Sequence, residues 1–323
     1  MKITKFVGIS AVVLAGAASV LSTQAVAQSW PTRPVRIIVP FGAGGGTDIQ
    51  GRLLSKKFYE SMGQTFIVDN RPGASGLIGA ELATKSPPDG YTILFTTASL
   101  SVNVTLYASR IKFNPLKDLE PVSWISSVPL VLCVHPSVPA KTVPELIALA
   151  KKGKLNPGNN GVGTTSHLSV EMLNQFAGLK LPIISYKGGG PATTAVLSGE
   201  VDFVFGTALS VAPYVSQGKL RPLAVTTPKK SSAYPTLPTM NSFYPGFEAD
   251  NWYAMFFPAG TPKEIVAKLN AEIIKALKTP EVSNFMKREG ADPVGSTPEE
   301  LTAYFNKEVA KYAKIIKAGH IKL

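Results

Sequence analysis

The residues of this 323-residue chain that could do chemistry are mostly glycines, threonines and serines gathered in loops. The densest tract is Phe41-Gly42-Ala43-Gly44-Gly45-Gly46-Thr47-Asp48, set between an apolar strand pattern over residues 35–40 and a helical pattern from Ile49 onward. Glycines let the backbone approach a ligand closely, and the following helix offers unpaired N–H groups and a partial positive charge at its first turn. The chemistry this predicts is anion binding. Two nucleotide motifs with the same layout do not fit. A P-loop needs Lys and then Ser or Thr after its last glycine, but Gly46 is followed by Thr47-Asp48. The dinucleotide fingerprint needs a third glycine where this chain has Thr47.

Other loops share this composition. Thr97-Ala98-Ser99 follows one strand pattern, and Asn159-Asn160-Gly161-Val162-Gly163-Thr164-Thr165-Ser166-His167 leads into a helix expected near Leu168. Tyr186-Lys187-Gly188-Gly189-Gly190-Pro191 again separates strand from helix, and Gly206-Thr207 closes a further strand. In α/β sheets, ligands sit beyond the carboxyl ends of strands, where such loops enter helices. Hydroxyl and N–H donors in this number suit a carboxylate better than a bare metal.

Catalytic chemistry finds little support. A secreted hydrolase needs a nucleophile and a base, yet Gly73-Ala74-Ser75-Gly76 lacks the spacing of a nucleophile elbow. The imidazoles are His135, His167 and His320, and only His167 lies in a candidate loop, without an evident partner. Cys133-Val134-His135 is the one close Cys/His pair, which alone makes no metal site. The expectation is a protein without enzyme activity, metal or cofactor.

These loops need a scaffold in the right compartment. Lys2 and Lys5 precede an apolar run over residues 6–21, and Ala25-Val26-Ala27 offers a small-x-small cleavage site. The reading is a signal peptide, residues 1–27, cut after Ala27 to release a soluble periplasmic protein. An uncleaved anchor is disfavoured because Ser10 and Ser19 keep the run below about 18 continuous apolar residues. Losing Lys2 and Lys5 and no acid leaves 31 basic against 21 acidic residues, a net charge of +10. Lys307, Lys311, Lys314 and Lys317 fall at helical spacing, so solvated helix faces explain the charge better than nucleic acid. The single cysteine, Cys133, excludes an internal disulfide and sits in a strand-like run.

The 296 residues after Ala27 suit two domains. Strand patterns at 67–69, 92–96, 128–135, 183–186, 201–205 and 223–226 alternate with helical ones at 77–85, 143–152 and 192–197. Thr142 is placed as a helix cap, with Pro144 in the first turn. This alternation predicts an α/β fold with parallel sheets covered by helices. After residues 247–257 and the turn Pro258-Ala259-Gly260-Thr261-Pro262, two amphipathic helices follow, at 263–278 and 298–317, the first striped by Ile265, Leu269, Ile273 and Leu277.

The chain resembles the Bug/TctC family, the extracytoplasmic solute receptors of tripartite tricarboxylate transporters. The motifs carrying the resemblance run through the mature chain: Trp30-Pro31-Thr32-Arg33-Pro34, Val39-Pro40-Phe41-Gly42, Asn70-Arg71-Pro72-Gly73-Ala74, Pro88-Asp89-Gly90-Tyr91, Gly163-Thr164 with His167-Leu168, Tyr186-Lys187-Gly188-Gly189, Gly199-Glu200-Val201-Asp202 and Pro258-Ala259-Gly260-Thr261-Pro262. The resemblance implies a two-lobed, type II-like periplasmic binding fold that holds a small carboxylate between its lobes and delivers it to a membrane permease.

Carried onto this sequence, the resemblance implies a ligand site built from Phe41, Gly42, Ala43, Gly44, Gly45, Thr47 and Asp48. Thr97, Ala98 and Ser99 would border the same cleft, faced by Thr164, Thr165, His167, Tyr186, Lys187, Gly188, Gly206 and Thr207. Lys187 is either a countercharge or a solvated side chain, and His167 either a contact or a packing residue. The chain departs from the family pattern with Asn159 for Ser, Ala195 for Asp and Gly206 for a frequent Asp. Loss of an acid at 206 argues for a dicarboxylate, aromatic ones included, over an amino acid. Lobe one is expected over 28–130 and 227–323 and lobe two over 131–226, in a monomer. A sensory subunit closing onto a signalling receptor is the alternative use of the same fold.

Overall fold

The computed structural model describes residues 30–153, 155–227, 230–231, 233–318 and 321; the expected leader and His320 lie outside them. From the N-terminus run β1 (Val35–Val39), α1 (Gly46–Met62), β2 (Phe66–Asn70), α2 (Leu77–Thr84), β3 (Thr92–Thr97), α3 (Ser99–Leu106) and β4 (Leu119–Val128). Next come β5 (Leu130–Val134), α4 (Val143–Ala150), β6 (Pro157–Asn159), α5 (Thr165–Ala177), β7 (Ile184–Ser185), α6 (Gly189–Leu197), β8 (Phe203–Thr207), α7 (Ala208–Ser216), β9 (Arg221–Val225) and α8 (Met240–Phe243). The chain ends with β10 (Asn251–Pro258), α9 (Lys263–Lys278), α10 (Pro280–Arg288), β11 (Asp292–Pro293) and α11 (Pro298–Ala318).

Two sheets result, one of six strands in the order β11-β4-β10-β3-β1-β2 and one of five in the order β7-β6-β8-β5-β9. The expected α/β class with two lobes holds. Wholly parallel sheets do not: β10 runs antiparallel to β3 and β4, and β5 antiparallel to β8 and β9. The reason is connectivity. Only Pro129 separates β4 from β5, which lie in different sheets, and β10 returns to the first sheet after a long excursion through the second. Strands that arrive this way are not tied to the parallel direction that a crossover helix imposes.

Both faces of the first sheet are covered, so its central strands are apolar throughout. Ile37 and Phe95 face Leu54 and Phe58 of α1 and Leu269 and Ile273 of α9, while Ile38 and Leu94 face Leu301, Phe305 and Tyr312 of α11. Burying Leu269, Ile273 and Leu277 of α9 contributes about 1.5–3 kcal/mol each. The second sheet packs Leu132 and Phe205 against α4 and α5, joined by Met240, Phe247 and Ala249. Its other face, with Val131, Cys133 and Val204, joins α6 and α7 to the core that also contains α1. Cys133 is fully buried, and its thiol is pushed well up by that burial.

Helix starts follow local chemistry. Thr142 accepts from the Glu145 N–H to cap α4, as expected, and Thr164 accepts from His167 to cap α5. The α5 start therefore lies three residues before Leu168, and α1 starts three before Ile49. Among the described residues no helix is long and apolar enough to cross a membrane.

Candidate functional site

Five helices begin at one place between the sheets. Gly46 and Thr47 of α1, Ser99 of α3, Thr165 of α5, Gly189 of α6 and Thr207, the cap of α7, line a common cavity of about 30 Å³. Phe41, Gly45, Thr97, Asn160, Thr164, Asn251 and Tyr253 complete it. First-turn N–H groups have no partner within their own helix, and each helix adds a partial positive charge at its start. No lining side chain is charged. The cavity thus offers an anion hydroxyls and a converging set of dipoles, without a fixed countercharge.

Tyr253 forms the floor. It is almost fully buried, and its hydroxyl bonds with Thr207 and Asn251. Burial pushes the phenol up to about 12 against those bonds, so it stays neutral and able to donate at physiological pH. Gly46 is required here by contact: a Cβ on it would lie 2.2 Å from the Tyr253 oxygen. Asn251 in turn accepts from the Thr165 hydroxyl at 3.4 Å. The hydroxyl of Thr97 donates to Ser99 at 3.0 Å, and that of Thr207 pairs with Ser210 at 2.8 Å.

The lobes are closed on this cavity. The Gly42 N–H donates to the Lys187 carbonyl at 2.8 Å, an approach that Gly188 permits because a Cβ there would meet the Gly42 nitrogen at 2.8 Å. Tyr107 donates to the Val162 carbonyl at 3.2 Å, and the Ser75 hydroxyl donates to the same oxygen.

Of the residues singled out in the sequence, the cavity brings together Phe41, Gly45, Thr47, Thr97, Ser99, Thr164, Thr165 and Thr207. Gly42 and Gly188 serve the lobe contact, and Ala43 and Gly44 line an outer groove with Tyr186 and Gly190. Asp48 turns away, accepting from the Gly44 N–H at 3.0 Å and pairing with Arg52 at 2.9 Å. Burial opposes its charge, but Arg52, Gly44 and Asn70 together hold the carboxyl below the usual range. Ala98 is buried, its N–H given to the Trp252 carbonyl at 3.1 Å. Burial pulls His167 down to about 4, leaving it neutral, with Nε2 3.6 Å from Glu171 and Nδ1 unpartnered. Tyr186 donates to Glu200 at 2.6 Å, and Lys187 is exposed.

Gly206 corrects the charge argument drawn from its missing acid. A Cβ at Gly206 would point at Val211, 2.4 Å from its Cγ1, so a side chain there meets α7 and not the cavity. Its neighbour Thr207 takes the cavity side, as alternation along a strand requires. Sequence reasoning missed Asn251 and Tyr253. The available signal was their alternate spacing, two hydrogen-bonding side chains on one face of an apolar strand run.

Two α/β lobes closing over a cleft lined by helix starts are the architecture of a solute-binding protein. Residues 51–321 match the model of the TctC family, described as the tripartite tricarboxylate transporter family receptor, and the chain belongs to that family. It is similar to the periplasmic binding protein BugD, with 34% identity and a TM-score of 0.88 over 91% of this chain and 99% of that one. It is also similar to R. palustris Rpa4515, solved with adipate, at 34% identity and a TM-score of 0.87 over 91% and 99%. MatC from Rhodopseudomonas palustris, solved with malate, shares 28% identity with a TM-score of 0.84 over 89% and 100%. The chain is a binding protein of this kind, not an enzyme.

Proposed function

We infer that the chain captures a small dicarboxylate in the periplasm and presents it to the permease of a tripartite tricarboxylate-type transporter. The observation that carries this is the convergence of five helix starts on a cavity without charged side chains. Such a site favours an anion through dipoles and hydroxyls, and an ammonium group would find no acid there. The relatives solved with adipate and malate support the ligand class.

Capture works through the lobes. A cavity of about 30 Å³ has room for only about two waters, comparable to one carboxylate group. The lobes therefore open to admit a whole ligand and close once its carboxylate replaces water at the helix starts. Closure requires only that the closed form bind better than the open one. The packing of Met240, Phe247 and Ala249 supports a second lobe over about 130–249, longer than the sequence pattern implied, with the crossings at Pro129 and before β10. Residues 1–27 act as the leader in this reading.

The test is thermal melting of residues 28–323 against mono-, di- and tricarboxylates, amino acids and aromatic acids. A ligand at a hundred times its dissociation constant adds about 2.7 kcal/mol. A shift with dicarboxylates supports the reading, and a shift with amino acids alone overturns the ligand class. Lost uptake on deletion supports permease delivery; intact uptake with a lost induced response would assign sensing instead.

A further inference from the structure

On the outside of the molecule, the seam between the lobes opens into a groove of about 440 Å³ that shares no lining residue with the helix-start cavity. Lobe two supplies most of it, through Thr193 and Thr194 of α6 and Ser210 and Tyr214 of α7. Lobe one supplies Ala43 and Gly44, from the turn before α1. That turn touches α6 directly: a Cβ on Gly190 would lie 2.0 Å from the Ala43 carbonyl oxygen, so glycine is required for the approach. Separating the lobes carries Ala43 and Gly44 away from α6. The groove in this form therefore exists only while the lobes are shut.

Its chemistry runs against the rest of the chain. Where basic residues outnumber acidic ones by 33 to 21, the single charged residue lining the groove is an acid, Glu200. Glu200 is exposed, and its carboxylate accepts from the Tyr186 hydroxyl at 2.6 Å. Among the described residues no Lys or Arg pairs with it. Thr193 also lines the groove, is only 4% exposed, and its hydroxyl has no hydrogen-bond partner. The neighbouring Thr194 instead donates to the Gly190 carbonyl at 3.2 Å. A buried hydroxyl left without a partner carries a desolvation penalty, which an incoming hydrogen-bonding group relieves.

Resting on the reading of the chain as a transporter receptor, we propose that this groove is the surface by which the permease recognises the closed receptor. Its occupant is a periplasmic loop of the permease that sets a Lys or Arg side chain on Glu200 and a hydrogen-bonding group on Thr193. A loop fits better than a free cation, because one exposed carboxylate alone holds a cation weakly. The loop adds contacts to Tyr214 and to the hydroxyls of α6 and α7, and touches both lobes at once. Touching both is what lets a permease pass over open, empty receptors. The basic remainder of the chain repels such a loop and leaves the Glu200 groove as the place that accepts it.

Uptake of labelled adipate by spheroplasts lacking their own receptor, with purified residues 28–323 added back, tests this alongside calorimetric titration of the same proteins with adipate. In Glu200→Gln the receptor concentration giving half-maximal uptake should rise about fivefold, the upper end for one exposed ion pair. In Glu200→Lys it should rise more than about twentyfold, because like charges then meet. The adipate dissociation constant should stay within about twofold in both, which also shows that the variants fold. Thr194→Trp, filling the groove from its exposed rim, should lower uptake in the same way, whereas Glu299→Lys, the same charge reversal on α11, should change neither quantity. Unchanged half-maximal concentrations in Glu200→Lys and Thr194→Trp overturn the proposal. So does a loss of adipate affinity that matches the loss of uptake, since the groove would then belong to the ligand site. A wild type that binds adipate but restores no uptake would instead overturn permease delivery, and one that does not bind adipate would overturn the dicarboxylate reading.

Discussion

The two spaces between the lobes are built from different material. The helix-start cavity is made by backbone and short hydroxyl side chains, fixed by five helices and floored by the buried Tyr253. An adjoining chamber of about 210 Å³, sharing Phe41 and Asn160 with it, is lined by the rings of Tyr107 and Tyr186 and by the positive-φ turn over residues 73–76, with the exposed Lys187 at its edge. A site built from backbone dipoles recognises a functional group common to many ligands. One built from side chains can be retuned residue by residue without disturbing the fold. The contrast separates what a carboxylate receptor must share from what sets its particular solute.

The largest effect that could break this contrast is steric. Gly46→Ala should weaken every carboxylate more than about a hundredfold, because the Tyr253 oxygen 2.2 Å from the new methyl must move, and should cost about 1–3 kcal/mol of stability. Gly46→Ala with Tyr253→Phe should recover part of the stability in denaturant titration. Equal loss in single and double variants would show that the floor is not what confines Gly46.

Next is a titration behind the floor. Asp250 precedes Asn251, and burial, then Glu248 and Glu308, push its carboxyl up to about 7 against the pull of Lys311. A group raised from about 3.9 in the unfolded chain costs nothing below pH 4, costs progressively more up to about pH 7, and a constant amount above that. Asp250→Asn should therefore raise stability by about 1–3 kcal/mol at pH 8 and hardly at pH 4. Melting curves at the two pH values check this, and a gain larger at pH 4 would reverse the assignment.

Thr207→Val should cost hexanoate and adipate alike, about tenfold each, by removing a cavity hydroxyl that also holds Tyr253. A loss confined to adipate would erase the distinction between anchor and chamber. The smallest effect belongs to the lobe contact: Ser75→Ala removes a donor to the Val162 carbonyl and should cost about 1 kcal/mol in urea titration, with Tyr107 still bonded to that oxygen.

What the sequence revealed follows the strength of local signals. The α9 boundaries, Lys263–Lys278, were legible because Leu269, Ile273 and Leu277 recur every four residues and all are buried. The nine-residue α10, with only Val282 and Met286 buried four residues apart, is too short for its period to stand out, and the serine-rich β4, with Pro121 and Glu120 inside it, breaks its apolar pattern; both passed unseen. The glycine tract and hydroxyl loops pointed to the anchor because its chemistry is local to helix starts. Tyr253 and Asn251 reach it from a strand some two hundred residues away in sequence, and no local pattern reports such a meeting. The direction of a side chain at Gly206 was likewise invisible until its distance to Val211 was known.

The central claim is that the helix starts hold an anionic carboxylate with neutral donors. Titration calorimetry of residues 28–323 with adipate and with its uncharged diamide, a molecule of the same length and shape, tests it most directly. One adipate should bind per chain, with no detectable binding of the diamide at the same concentrations. Equal affinity for the two would contradict it.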